Sequence, residues 1–290
     1  MSEPIITVGI PVYNEEKYLA STIQSVLDQT LKNIEIVIAD NCSTDSSYDI
    51  AMGYAERDPR ISVYRQEENI GIPNNFRFAL NKSKTKYFIW LGAHDMFKPD
   101  YLERGVEFLE KNKNVLMAYP RAEWIDTENK FISNLDEDIQ TTGLSKRDAL
   151  IKVVSNTDSG VGVHGIYVTS ALKQIPFGMD VGGEALMFFV IVTQGDIAKL
   201  DFTGLLFRVV RKETVIERIK RYKEIKIVSS SFIFTIHRIR KHLHYTFASK
   251  ELSFSDRVRV SYVVFKRFIM IHLWIQYRKL RPGKEIKTAK

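Results

Sequence analysis

The residues able to do chemistry sit where apolar runs end. "IITVGIPV" gives way to Tyr13, Asn14 and Glu15, "IEIVIAD" closes on Asp40 and Asn41, and "KYFIWLG" closes on His94 and Asp95. Carboxylates, amides and an imidazole at such places can accept from a ring N–H, hold an anion's counter-charge or move a proton. Further on, "GMDVGGEALMFF" carries Asp180 and then Glu184 at the head of an apolar helical run, where the helix dipole favours an anion. Arg77 lies with Asn75 in "NNFRFAL", and its forked donors suit phosphate oxygens. Each residue also has an ordinary use: Asp95 could cap the next turn, Glu184 could support a helix start, and Arg77 could face solvent.

The elements around these residues follow a rhythm. Short β-rich runs ("IITVGIPV", "IEIVIAD", "ISVYR", "KYFIWLG") alternate with helical patterns near Glu15 to Gln29, after Thr44 and near Pro73 to Asn81. That βαβ alternation predicts an α/β fold, with a mostly parallel sheet flanked by helices. The near-continuous apolar run from Ile34 to Ala39 fits a strand covered on both faces. In such sheets ligands gather at the carboxyl ends of the strands, so "PVYNEE", "DNCSTDSS" and "GAHD" are expected to converge on one crevice. Ser43 or Thr44 is the expected N-cap of the second helix.

Several function classes are excluded. No GxGxxG follows the first strand and no GxxxxGK[ST] occurs, which argues against a dinucleotide Rossmann site and a P-loop. One cysteine, Cys42, rules out an intramolecular disulfide framework and a cysteine zinc cage, and suits a reducing compartment. The N-terminus lacks a basic stretch followed by a long apolar core, so a cytoplasmic location is expected. The net charge of +7 divides unevenly: residues 211–290 hold 21 Lys/Arg against 6 Asp/Glu, or +15, leaving −8 on residues 1–210. Two domains are expected with that boundary, the second a basic, aromatic-rich helical extension.

Four blocks, "VGIPVYNEEKYLASTIQSVLDQT", "IEIVIADNCSTDSS", "NIGIPNNFRFAL" and "YFIWLGAHDMFKPDYLE", occur in an order and spacing that resemble the family 2 glycosyltransferases, inverting enzymes of the GT-A fold. The likeness runs from about Ile5 to Phe207. It implies a nucleotide-sugar donor, with UDP the expected nucleotide. Pro11, Tyr13 and Glu15 would lie beside the base, with Asp40 and Asn41 on its edge, and Asn41 standing where the family usually has a second acid. Arg77 and His94 would contact the diphosphate or ribose, with Arg208 as a further diphosphate contact. The family's acidic cluster is reduced here, with Gly92 and His94 in place of acids, and the resemblance assigns Asp95 to a divalent cation, Mn²⁺ or Mg²⁺.

Inversion requires a base for the acceptor hydroxyl. Counting back from Gly195 puts Glu184 at the family's base position, with Gly183 in place of its usual acidic partner and Asp180 as the alternative. His164 precedes the expected acceptor pocket. The implied acceptor is a glycan or lipid-linked glycan, which would place the protein at the inner face of a membrane. A transmembrane span is not expected, because the window from Val260 to Tyr277 contains Lys266 and Arg267. The charges of that window do not gather on one helical face, so the sequence leaves open a membrane-surface anchor or a helical subdomain packed on the catalytic domain. Nucleic acid is not an expected partner. The alternatives are a non-catalytic nucleotide- or glycan-binding relative and, behind it, a nucleic-acid-binding protein that uses the basic C-terminal region.

Overall fold

The computed structural model describes residues 3–157, 160–175, 183–210 and 232–280. Four strands, β1 (Ile6–Val12), β2 (Ile34–Asp40), β3 (Ile61–Arg65) and β4 (Tyr87–Trp90), build the parallel half of the sheet in the order β3-β2-β1-β4. Helices α1 (Leu19–Leu27), α2 (Ser47–Ala55) and α3 (Ile72–Lys82) cross between them. Burial explains the composition: the successive residues Ile6, Thr7 and Val8 in β1 and Ile36, Val37 and Ile38 in β2 are all 1% exposed or less, so both faces of these strands are covered. In register, Val12 faces Asp40 and Asp40 faces Arg65, so the polar ends of the strands arrive together.

The chain then leaves the parallel rhythm. After β4 it bends out through Leu91 to Asp95 and forms β5 (Met96–Phe97), which pairs with the distant β9 (Asp196–Arg208) and not with β4. The remaining sheet comprises β6 (Val115–Ile125), its hairpin partner β7 (Phe131–Leu135) and β8 (Ile166–Val168), in the order β4-β8-β6-β9-β5. Helices α4 (Tyr101–Lys111), α5 (Lys146–Asn156), α6 (Thr169–Lys173) and α7 (Gly183–Gln194) cover it. Met96 is opposite Leu206, which brings Asp95 alongside Arg208 across 113 residues of sequence.

Two C-terminal helices, α8 (Phe232–Ala248) and α9 (Phe254–Leu280), pack as a pair against α7 and α5. Ile239, Leu252, Val260, Val264 and Phe268 belong to the same apolar core as the sheet. His242 is fully buried between the rings of Phe189 and Phe268, at 5.0 and 4.9 Å, and burial pushes its imidazole down to about 4. Among the described residues, no helix is long and apolar enough to cross a membrane.

Candidate functional site

The loops after β1 and β2 are joined by reciprocal side-chain bonds. The Asn14 N–H donates to Ser43 Oγ (3.0 Å), the Thr44 N–H to Asn14 Oδ1 (2.9 Å), the Glu15 N–H to Ser47 Oγ (2.8 Å), and the Glu16 N–H to Asp45 Oδ2 (3.1 Å). Asn14 holds a left-handed backbone, φ 55°, which asparagine tolerates better than most residues. Ser43 and Thr44 are therefore used to join two loops; α2 begins at Ser47, with Ser46 before it. The expected N-cap was misplaced because only the fold brings Asn14 within reach of Ser43.

At the end of β2, Asp40 is fully buried. Its Oδ2 accepts from the Ser43 N–H at 3.2 Å and lies 3.5 Å from Arg65 Nε, while its Oδ1 has no hydrogen-bond partner among the described residues. A buried carboxylate oxygen without a donor is costly and calls for one from outside the chain. Asn41 differs: its Oδ1 accepts from the Ile70 N–H (2.9 Å) and its Nδ2 donates to Asn69 Oδ1 (2.8 Å). Of the two residues expected on the base edge, Asp40 keeps an open acceptor and Asn41 braces the loop before α3. Tyr13 is 40% exposed at the lip, and Pro11 is half-buried in β1 opposite Ala39.

Asn75 is half accounted for: its Nδ2 donates to the Ala39 carbonyl at 2.7 Å, while its buried Oδ1 has no hydrogen-bond partner among the described residues. Arg77, two residues on, is half-buried on α3.

At the end of β4, His94 and Asp95 take opposite roles. His94 is 26% exposed, and its Nδ1 pairs with Glu15 Oε1 at 3.0 Å, joining the β4 end to the β1 loop. Burial lowers its basicity, but the bond to Glu15 and the charges of Asp95 and Glu15 more than offset this, leaving its titration raised. Asp95 is 1% exposed. Its Oδ1 accepts from the Arg208 N–H at 2.8 Å, and its Oδ2 lies 3.8 Å from His164 Nε2, beyond hydrogen-bond reach. Burial raises its carboxyl above the ordinary value, against the pull of His94, His164 and Arg208. A Cβ built on Gly92 would collide with Asp95 Oδ2, so the glycine is what admits the inward carboxylate.

Arg208 is likewise turned inward. Its Nε donates to the His94 carbonyl (2.8 Å), its Nη1 to the Asp126 carbonyl (3.0 Å), and its guanidinium lies over the Tyr18 ring at 4.7 Å. His164, 6% exposed, donates from Nδ1 to the Trp90 carbonyl at 3.0 Å, and burial lowers its basicity. His164, Asp95 and Arg208 thus form a buried brace beneath His94.

These contacts test the expected Mn²⁺ or Mg²⁺. Such ions want several oxygen donors, and the β4 end offers one buried carboxylate whose Oδ1 accepts from the Arg208 N–H, while its neighbour is an imidazole and position 92 has no side chain. Among the described residues no three His, Cys, Asp or Glu converge to hold a metal. Asp95 alone does not make a site held wholly by the protein, and a cation here would draw its remaining ligands from a diphosphate and water.

Glu184 is half-buried in the first turn of α7. It shares a helix face with Phe188 four residues on. Phe188 fills the space where a Cβ on Gly162 would stand, 2.6 Å from its Cζ, which sets this face against the turn that carries His164. Asp180 lies outside the described residues.

Comparison with known proteins agrees with this architecture. Residues 7–164 match the model for Glycosyl transferase family 2. The putative teichuronic acid biosynthesis glycosyltransferase TuaG of Bacillus subtilis is 38% identical over 107 residues, 37% of this chain and 42% of that protein. Glycosyltransferase GlyA of Streptococcus pneumoniae is 40% identical over 98 residues, 34% of this chain and 14% of that protein. These matches span less than half of either relative. S. aureus TarS 1–349 in complex with UDP-GlcNAc is similar with TM-score 0.70 and 15% identity, over 96% of this chain and 76% of that one. Mannosyltransferase PcManGT from Pyrobaculum calidifontis, in complex with GDP-Man and Mn²⁺, gives 0.57 and 14%, over 98% and 77%. At such identities the solved structures speak for the fold, and they bear out the expected GT-A architecture. The sequence match itself covers more than half of the 290 residues, and on that ground the chain belongs to glycosyl transferase family 2.

Proposed function

We propose that the protein transfers a sugar, with inversion, from a UDP-sugar to a glycan or lipid-linked acceptor in surface-polysaccharide synthesis. The observation that carries the donor half is the unpartnered, buried Oδ1 of Asp40 at the end of β2. A uracil ring N–H supplies the missing donor, and the half-exposed Tyr13 covers the ring. TarS, solved with UDP-GlcNAc, supports the choice of nucleotide.

The diphosphate then extends along the strand ends toward His94, whose orientation Glu15 fixes. An imidazole N–H aimed at the bridging oxygen stabilises charge where it grows as the sugar departs. Glu15 acts through His94 as a positioning residue. Asp95 and Arg208 hold the platform by tying β4 to β9. On the opposite face of the sugar, Glu184 takes the acceptor hydroxyl's proton, with Asp180 as its alternative. The name of TuaG, a putative teichuronic acid biosynthesis enzyme, supports a surface-polymer acceptor. A lipid-linked acceptor places the reaction at the inner face of the cell membrane.

A thermal-shift screen of UDP- and GDP-sugars, followed by assay of released nucleotide, tests this reading. Stabilisation and turnover by a UDP-sugar are expected. Nucleotide binding without turnover of any donor would make the protein a non-catalytic relative, and no stabilisation by any nucleotide would overturn the reading.

A further inference from the structure

Helix α9 has two apolar faces, and only one is used. At about 100° per residue, the buried Val260, Val264 and Phe268 form one stripe against the core. About 130° round the helix from it, Phe254 (75% exposed), Val258 (50%), Tyr262 (65%), Phe265 (52%) and Leu273 (55%) form a second stripe. It is about 100° wide and about 28 Å long by helix geometry. Arg259 and Lys266, both exposed, run along one edge of it.

The sequence concealed this because the two apolar faces dilute each other's periodicity. Two arginines that spoil the pattern are also spent locally: Arg257 donates to the Ser249 carbonyl (3.0 Å) and Arg267 to the Thr157 carbonyl (2.9 Å). With those removed, the exposed side reads as aromatic and aliphatic residues bordered by cations.

We infer that this face of α9 lies on an anionic lipid surface, with Phe254, Tyr262 and Phe265 in the headgroup boundary and Arg259 and Lys266 on lipid phosphates. The charge of +15 on residues 211–290 complements such a surface. The same charge disfavours a second copy, because an antiparallel pairing through the stripe would set each copy's Arg259 and Lys266 against the other's. With no spanning helix among the described residues, α9 lies along the interface. This deepens the membrane part of the proposed function, and its test reads no transfer, so either can fail alone.

The test is co-sedimentation of the full chain with vesicles of phosphatidylcholine alone or with one third phosphatidylglycerol, alongside light scattering without vesicles. Two variants accompany it: Phe254→Ser/Tyr262→Ser/Phe265→Ser, and Arg259→Glu/Lys266→Glu. All changed side chains are exposed, so melting temperatures should match wild type. The wild type should pellet with the anionic vesicles only, and lose binding as salt rises. The triple variant should bind at least about tenfold more weakly, and the charge variant at least about fivefold per charge. Absence of pelleting with anionic vesicles, or pelleting unchanged in both variants, would overturn the inference. So would a wild-type dimer that the triple variant dissociates while vesicle binding stays the same.

Discussion

The N-terminal strand ends and the C-terminal helices manage charge in opposite ways. Around β1, β2 and β4 nearly every polar group is bonded to another part of the chain: Asn14 to Thr44, Asn41 to Ile70, Asp95 to Arg208. What remains open there among the described residues is narrow, chiefly one carboxylate oxygen of Asp40, the amide oxygen of Asn75 and the partly exposed His94. On the outer face of α9, Arg259 and Lys266 stand exposed beside exposed rings. On the functions proposed above, the difference separates a surface for one small ligand in one orientation from a surface for an extended partner without fixed contacts. Preorganised donors and acceptors give specificity, whereas apolar area bordered by cations gives adhesion.

That contrast can be broken by mutation, beginning where the effect should be greatest. Glu184→Gln should lower the transfer rate by about 10²–10⁴-fold while UDP affinity stays at the wild-type value, measured by single-turnover assay and calorimetry. Wild-type turnover would move the base to Asp180 or elsewhere. His94→Ala should weaken UDP binding by about tenfold or more, as loss of a hydrogen bond to a charged group predicts. Uridine, which has no diphosphate, should bind both proteins equally. Glu15→Gln should fall between them, since the amide still holds the ring.

Next comes pH. His242 titrates near 4 in the folded protein against an ordinary 6.5, so the unfolded chain binds the extra proton first. The stability that this neutral side chain supplies is present above pH 6.5 and is lost as pH falls from there toward 4. The loss should reach about 3 kcal/mol. Denaturant melts of wild type and His242→Phe should diverge over that window, with the variant less sensitive to acid. Smaller still, Asp95→Asn should cost about 1 kcal/mol, because the amide oxygen can still accept the Arg208 N–H, and Asp95→Ala about 1–3 kcal/mol. An Asp95→Asn protein of wild-type stability that has lost all transfer would instead restore Asp95 to the reaction.

Much of the fold was legible because its causes are local. Short β-branched apolar runs such as Ile34 to Ala39 fit strands buried on both faces, and the helices between them follow from apolar spacing. The convergence of the strand ends was legible for the same reason. What each polar residue does there was not, because it depends on partners far along the chain. Asn41 is occupied by Ile70, Asp95 by Arg208, and Ser43 by Asn14. The residue type at position 92 held a clue, since a glycine beside a lone acid leaves room for that acid to turn inward. The exposed stripe of α9 was hidden by the buried one, and only the docking of α9 on α5 separates them.

The central claim is that a nucleoside diphosphate meets His94 at the ends of β1, β2 and β4. Calorimetric titration of UDP into the wild type and His94→Ala, in buffer stripped of divalent ions and again with Mn²⁺, tests it directly. The account predicts binding by the wild type without added metal and at least about tenfold weaker binding by the variant. Binding that appears only with Mn²⁺ and is indifferent to His94 would contradict it.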